Sequence, residues 1–235
     1  MKIDVLMPVY ATPLPWLKEA VQSILYQKHT DCSLIIVDDN NPWGPLTDYL
    51  YSIPRLYDGV VVVRKNENEG IAAALNFGLK FCSADLIVRM DADDIASPDL
   101  LTLHDDFFTR YEDRHICGIQ IQLFNGINVW ESHHFSEVNR SRARNLPGHW
   151  FVNHPGICYR RETIIKLGGY PNTPKHLAED YALWIEFLLA GFIIYNRSEC
   201  LLDYRVHSKS FSFAPDRKAP EWHEFLQHQK ERLNE

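Results

Sequence analysis

Asp91-Ala92-Asp93-Asp94 crowds three carboxylates into four positions, directly after the apolar run Leu86-Ile87-Val88-Arg89-Met90. Like charges this close are costly unless a cation joins them. Carboxylate oxygens are hard ligands that suit Mg²⁺ or Mn²⁺, and such ions usually share their coordination with substrate phosphates. A capping role explains one acid only: Asp94 or Ser97 could cap a helix opened by Pro98. A second pair, Asp38-Asp39, follows Ile36-Val37 in the same manner. A carboxylate there, with backbone groups, would match the N–H and carbonyl edge of a base such as uracil; the alternative is that these residues only form a turn. A third pair, Glu179-Asp180, opens a helical stretch containing Trp184. The helix dipole would keep a carboxylate ionised there, and a plain N-cap is again the alternative.

The elements that must hold these acids follow from hydrophobic periodicity. Strand-like runs at 3–7, 33–37, 60–63 and 86–90 alternate with segments able to form helices, which predicts a parallel, doubly wound α/β sheet. Ligands of such sheets bind at the carboxyl ends of strands, where both aspartate clusters stand. Residues 14–25 read as a crossover helix after a proline-rich entry. Asn68-Glu69-Gly70 turns into a helix reaching residue 81, whose N-terminus could receive a phosphate. Pro98 opens a helix to Arg110, and 116–124 reads as a strand. Residues 131–150 are polar without clear periodicity and read as a loop or mobile region. A short helix at 162–167 stops at Gly168-Gly169-Tyr170-Pro171, and a helix over 179–190 ends at Gly191. The tail from 216 reads as a charged, solvent-facing helix.

A chain of 235 residues with 46% hydrophobic content supports one sizeable core. A formal charge of −7 argues against nucleic acid as a partner, since a basic face would be needed. The N-terminal apolar run contains Asp4 and Pro8, so it reads as a buried strand rather than a signal peptide. The longest apolar stretch, 183–195, carries Glu186 and Gly191 and falls short of a transmembrane span. Five scattered cysteines suggest neither a zinc site nor a disulfide framework, and imply reduced thiols in the cytoplasm.

In order along the chain, Met7-Pro8-Val9-Tyr10, Ile36-Val37-Asp38-Asp39-Asn40, the segment from Asn66 to Asn76, and Arg89-Met90-Asp91-Ala92-Asp93-Asp94 resemble successive motifs of the family-2 inverting glycosyltransferases. Asn153-His154-Pro155-Gly156, Gly168-Gly169-Tyr170, Ala178-Glu179-Asp180-Tyr181 through Trp184, and Tyr204-Arg205-Val206-His207 continue the likeness to about residue 210. Asp-x-Asp alone is common; the ordered set is specific. The resemblance implies the glycosyltransferase A fold, with a Rossmann-like, mostly parallel central sheet and a smaller acceptor-side subregion. It implies a single domain over 1–215, divided into a nucleotide-sugar half at 1–95 and an acceptor-binding, catalytic half at 96–215, with the helical tail at 216–235. Pro8, Val9, Tyr10 and Asp38 match positions framing the base, with Tyr10 able to stack on it and Asp39 close behind. Gly70 and Asn76 match the loop and helix near the nucleotide. Asp91, with Ala92, matches the acid facing the ribose or donor sugar, and Asp93 the metal ligand, with His207 offered to the metal or the diphosphate. Asp180 matches the catalytic base and Glu179 adjoins it. His154 and Trp184 fall on the acceptor side, and Arg64 or Lys65 could counter the phosphates or contact the base.

These matches imply an enzyme of hexosyltransferase type, using Mn²⁺ or Mg²⁺ to move a sugar from a UDP-sugar to a hydroxyl of a glycan or lipid-linked acceptor. A single-addition role in polysaccharide biosynthesis, in the cytoplasm with peripheral membrane contact, is the corresponding expectation. Two departures stand out: Asn40-Asn41-Pro42-Trp43 replaces the commoner Gly-Ser, and Glu186 stands where many relatives carry a basic residue. A sugar nucleotidyltransferase would instead need a Gly-rich, Arg-containing loop after the first strand, where Val9-Tyr10-Ala11-Thr12-Pro13 stands. A nicotinamide-dependent dehydrogenase would need G-x-G-x-x-G there, which is absent. A non-catalytic nucleotide-sugar or glycan-binding module should have lost Asp93 or Asp180, and both are present.

Overall fold

The computed structural model describes residues 1–125, 129–146, 150–173, 178–208 and 220–234. In its first strand, β1 (Ile3–Val9), Ile3, Val5, Met7 and Val9 enter the core on one face and Leu6 on the other. Burial on both faces is what a central parallel strand between helical layers requires. β2 (Cys32–Asp38) and β4 (Leu86–Arg89) flank β1 in parallel, and β3 (Val60–Arg64) adds in parallel to β2.

The crossovers sort onto the two faces by their apolar stripes. α1 (Leu14–Leu25) buries Leu17, Ala20, Val21 and Ile24, one side of a 3.6-residue period, against the face reached by Ile3 and Val5. α2 (Pro45–Ser52) buries Leu50 on the same face. α3 (Ile71–Leu79) covers the other face with Ala72, Ala74, Leu75 and Leu79. It sits close: a Cβ at Gly78 would fall 2.4 Å from Leu6 Cδ1 and 2.6 Å from Val37 Cγ2.

Beyond β4 the pairing changes. After β5 (Ile95–Ala96) and α4 (Leu100–Arg110) come β6 (Ile116–Phe124), β7 (Val129–Ser132) and β8 (Glu137–Val138), then α5 (Arg140–Asn145). β9 (Cys158–Arg160) inserts antiparallel between β4 and β6. α6 (Arg161–Lys166) and α7 (Glu179–Leu189) follow, then β10 (Ile194–Arg205), which runs parallel to β6. The sheet order is β3-β2-β1-β4-β9-β6-β10-β5, with β7 on β6 and β8 on β10. The expected α/β sheet flanked by helices is present; its run of adjacent parallel strands is β3-β2-β1-β4, and β9 begins the mixed part.

Two segments differ from expectation. Residues 131–150 contain β8, α5 and the end of β7; residues 147–149 lie outside the described set. α8 (Pro220–Glu231), in the tail expected to face solvent, buries Trp222, Leu226 and Gln229 at i, i+4 and i+7, and packs on α7. Arg232 beyond it pairs with Glu186 of α7 at 2.7 Å, which gives the unexpected acid in α7 a structural partner. Residues 216–219 and 235 of that tail are outside the described residues. No helix among the described residues is long and apolar enough to cross a membrane, and the five cysteines are free thiols.

Candidate active site

The carboxyl end of β4 carries the central charges. Arg89, 2% exposed, donates from both terminal nitrogens to the two carboxylate oxygens of Asp91 at 2.5 Å each. This fork-to-fork geometry fixes the acid's plane as well as its place. Burial raises the Asp91 pKa and Asp93 adds to the rise, while Arg89 works against it. Asp93 is more open, and its Oδ2 lies 2.9 Å from Nε2 of His207, past the end of β10. Asp94 turns inward: it is fully buried, and its Oδ1 accepts from the Arg205 backbone N–H at 2.8 Å. Burial and the neighbouring acids Asp91 and Asp93 hold its pKa well above the usual aspartate range. The three adjacent acids therefore have three environments.

The ends of β1 and β2 separate Asp38 from Asp39. Asp38 is fully buried and accepts four hydrogen bonds, from Asn41 N, Asn41 Nδ2, the Tyr51 hydroxyl and Arg64. Arg64 also reaches Asn40 Oδ1 and Asn41 O and lies over the Trp43 ring. This cluster braces the loop from behind, and neither Asp38 nor Arg64 lines the cavity beyond it. Asp39 does line it, held by Lys65 at 2.8 Å. Asn41 accepts from Ala11 N and donates to Val9 O, tying the loop after β2 to that after β1. Asn40 adopts φ 61°, a left-handed conformation that asparagine tolerates. Pro8, Val9, Tyr10, Gly70 and Ala92 all face the cavity, Tyr10 with 54% exposure. Asn76 does not: its carboxamide donates to Tyr170 O and accepts from Tyr170 N, both at 2.8 Å, clasping α3 to the turn after α6.

The same cavity is lined by Glu179 and Asp180 at the start of α7. Glu179 is nearly buried, and burial together with Asp180 pushes its pKa up to about 8. His154 lies 3.9 Å from Glu179 and shares a 2.9 Å hydrogen bond with the Tyr170 hydroxyl. Burial and Arg89 lower the His154 pKa well below its ordinary value, so the approach to Glu179 is not an ion pair. Trp184 is fully buried with its ring edge-on to His154, and it does not reach the cavity. Seven neighbours or near neighbours of Trp184 on α7 are also buried, so the helix presents only its first turn to the opening.

These groups surround one cavity of about 700 Å³. Its walls run from Tyr10, Asp39 and Gly70 past Asp91 and Asp93 to Asp180 and Trp150. Asp93 lines it, and His207, which does not, stands beside Asp93, so that oxygen and imidazole donors lie 2.9 Å apart. Mg²⁺ and Mn²⁺ sites commonly take few protein ligands and complete the shell with water and substrate phosphates, so this donor set fits.

The family model for glycosyl transferase family 2 matches residues 4–168, which hold both aspartate clusters. The chain belongs to this family. A UDP-Gal:alpha-D-GlcNAc-diphosphoundecaprenol beta-1,3-galactosyltransferase from Escherichia coli is 31% identical over 220 residues, covering 89% of this chain and 76% of that one. The E. coli O-antigen biosynthesis glycosyltransferase WbnJ is 29% identical, covering 81% and 74%. Among solved structures, S. aureus TarS 1-349 in complex with UDP-GlcNAc superposes with a TM-score of 0.75 at 18% identity. It covers 97% of this chain, which in turn spans just under two thirds, 66%, of TarS 1-349. The mannosyltransferase PcManGT from Pyrobaculum calidifontis, in complex with GDP-Man and Mn²⁺, superposes at 0.66 with 17% identity, covering 99% and 69%. The glycosyltransferase A fold follows from these superpositions.

Several residues of this glycosyltransferase's cavity carried no assignment from sequence. Arg89 had a signal: it stands two positions before Asp91, and strand periodicity puts such residues on one side. Asn153 stands in the Asn153-His154-Pro155-Gly156 motif, whereas His134 had no signal. Their contact at 3.1 Å joins the segment after β7 to the segment before β9, 19 residues apart.

Proposed function

We propose that this glycosyltransferase moves a sugar, with inversion, from a UDP-sugar to a hydroxyl of a glycan or lipid-linked acceptor, with Asp180 as the general base. The observation that carries the reading is that the Asp91–Asp93 strand end, the Glu179–Asp180 helix start, Asp39 and Tyr10 all line one cavity. The E. coli relative named for UDP-Gal and the UDP-GlcNAc complex of TarS support UDP as the nucleotide. The relative's lipid-diphosphate acceptor supports a lipid-linked substrate, and with it a cytoplasmic enzyme working at a membrane surface.

The uracil edge is assigned to Asp39, whose carboxylate lines the cavity, rather than to Asp38, whose oxygens are already engaged. Tyr10 supplies a stacking surface. Asp91, oriented by Arg89, faces the ribose or donor sugar. Asp93 and His207 would hold Mn²⁺ or Mg²⁺, which supplies charge neutralisation to a departing diphosphate. Burial and Asp180 push the Glu179 pKa up to about 8, which favours Asp180 over Glu179 as the base. Asp180 takes the acceptor hydroxyl's proton while the oxygen bonds to the anomeric carbon and the bond to the diphosphate breaks. Residues 1–95 thus serve the nucleotide and 96–215 the acceptor and the base.

The test is UDP release from UDP-Gal and UDP-GlcNAc in the presence of Mn²⁺, for the wild type and Asp180→Asn. The variant should lose roughly 10²–10⁴-fold in turnover with UDP affinity nearly unchanged. Undiminished turnover in the variant would remove Asp180 from the role.

A further inference from the structure

Strand β7 and the two residues that follow it have two working faces. Ser132 and His134 line the cavity, as do Ile121 and Leu123 of β6 and Tyr204 of β10. The residues between them belong to the other face. Glu131 pairs with Gln122 of β6, Cys200 with Gln120 and Asp203 with Gln122, and residues paired across neighbouring strands share a face. On that outer face the ligand atoms of Glu131, His133 and Cys200 all lie within 4.8 Å of one another. His133 Nε2 already meets Glu131 Oε2 at 2.6 Å.

We infer that Glu131, His133 and Cys200 form a second cation site, for Zn²⁺ or a similar borderline transition metal, that clips β7 to β10 over β6 behind the acceptor wall of the cavity. The donor set separates it from the Asp93 site. A thiolate and an imidazole with one carboxylate favour Zn²⁺, whereas Asp93 presents a hard oxygen suited to Mg²⁺ or Mn²⁺. Its three protein ligands leave a fourth position for water. Both strands are anchored independently of the cluster, β7 through its ladder to β6 and β10 through β5, β6 and β8, so the donors come from a formed framework. Occupancy would hold β7 in place, and with it Ser132 and His134 on the cavity side.

The site is read with Co²⁺ and Zn²⁺ on reduced full-length protein, in excess Mg²⁺ to occupy hard-oxygen positions. Wild type should give a thiolate-to-cobalt charge-transfer band that saturates at one equivalent and is abolished by Zn²⁺. Cys200→Ser should lose the band and weaken Zn²⁺ binding roughly 100-fold or more, since even loss of a supporting residue around a metal costs 10–100-fold. The double variant Glu131→Ala/His133→Ala should also lose the saturable band. UDP binding with Mn²⁺ should stay at the wild-type level in Cys200→Ser, which separates this site from the donor site. Absence of the band in wild type, or its persistence in either variant, would overturn the inference; failure of UDP binding alone would count against the proposed transferase reading and not against this site.

Discussion

Asp180 and Glu179 are adjacent carboxyls, and the burial of Glu179 supports the proposed division of roles between them. Glu179 is nearly buried beside a second acid, so its neutral form is favoured at neutral pH. Glu179→Gln, a neutral isostere, should therefore retain turnover within several-fold, in contrast to Asp180→Asn. Its folded pKa is raised, so its contribution to stability is complete below the ordinary glutamate value of 4.5 and is lost as pH rises to about 8. Thermal melts should show the variant gaining on wild type across that window; a constant offset would mean Glu179 ionises normally. The other unequal pair is Asp38-Asp39. Asp38→Asn replaces an acceptor-only side chain with one that meets Arg64 and Asn41 with N–H groups, and should cost about 2–3 kcal/mol of stability. Asp39→Asn should instead weaken UDP binding by about tenfold, roughly 1.4 kcal/mol. If the two variants exchange these effects in urea titration and calorimetry, the base is held by Asp38. The sequence placed both acids at the crevice but could not say which turned inward, because that depends on Tyr51 and Arg64 arriving from α2 and β3.

At the scale of elements, the parallel strands β1 to β4 and helices α1 and α3 were legible because each is a long periodic run between turn residues. β9 was not: three residues cannot display a period, and their pairing depends on β4 and β6, both far away in the chain. The helix α8 was legible but its burial was not, because its charges outnumber the stripe of Trp222 and Leu226 that meets α7. Asn76 likewise shows how a motif position can serve the site indirectly. Its carboxamide holds Tyr170, whose hydroxyl meets His154 beside Glu179. Gly169 makes this clasp possible: it adopts φ +84°, and a Cβ there would lie 2.3 Å from Asn76 Oδ1. Gly169→Ala should cost about 2–3 kcal/mol from left-handed strain and the displaced clasp together. A denaturant midpoint equal to wild type would show that α3 and the turn after α6 are not coupled through it.

Across the whole molecule, one mixed sheet carries the residues proposed for the nucleotide on its parallel part and those proposed for the acceptor beyond β4, and both groups line the cavity. Charge of −7 overall is consistent with phosphate being held locally, at the N-terminus of α3 and at a divalent ion, rather than by a basic surface. Asp91 is engaged by Arg89, Asp94 is turned inward, and Asp93 lines the cavity with His207 beside it. The transferase account therefore stands on nucleotide binding that depends on a divalent ion through Asp93. Calorimetric titration of UDP into wild type and Asp93→Asn, each with Mn²⁺ and with EDTA, reads this directly. Tight binding to wild type only with Mn²⁺, and weak binding in the other three cells, is expected; equal affinity with and without the ion, or an unaffected Asp93→Asn, would contradict it.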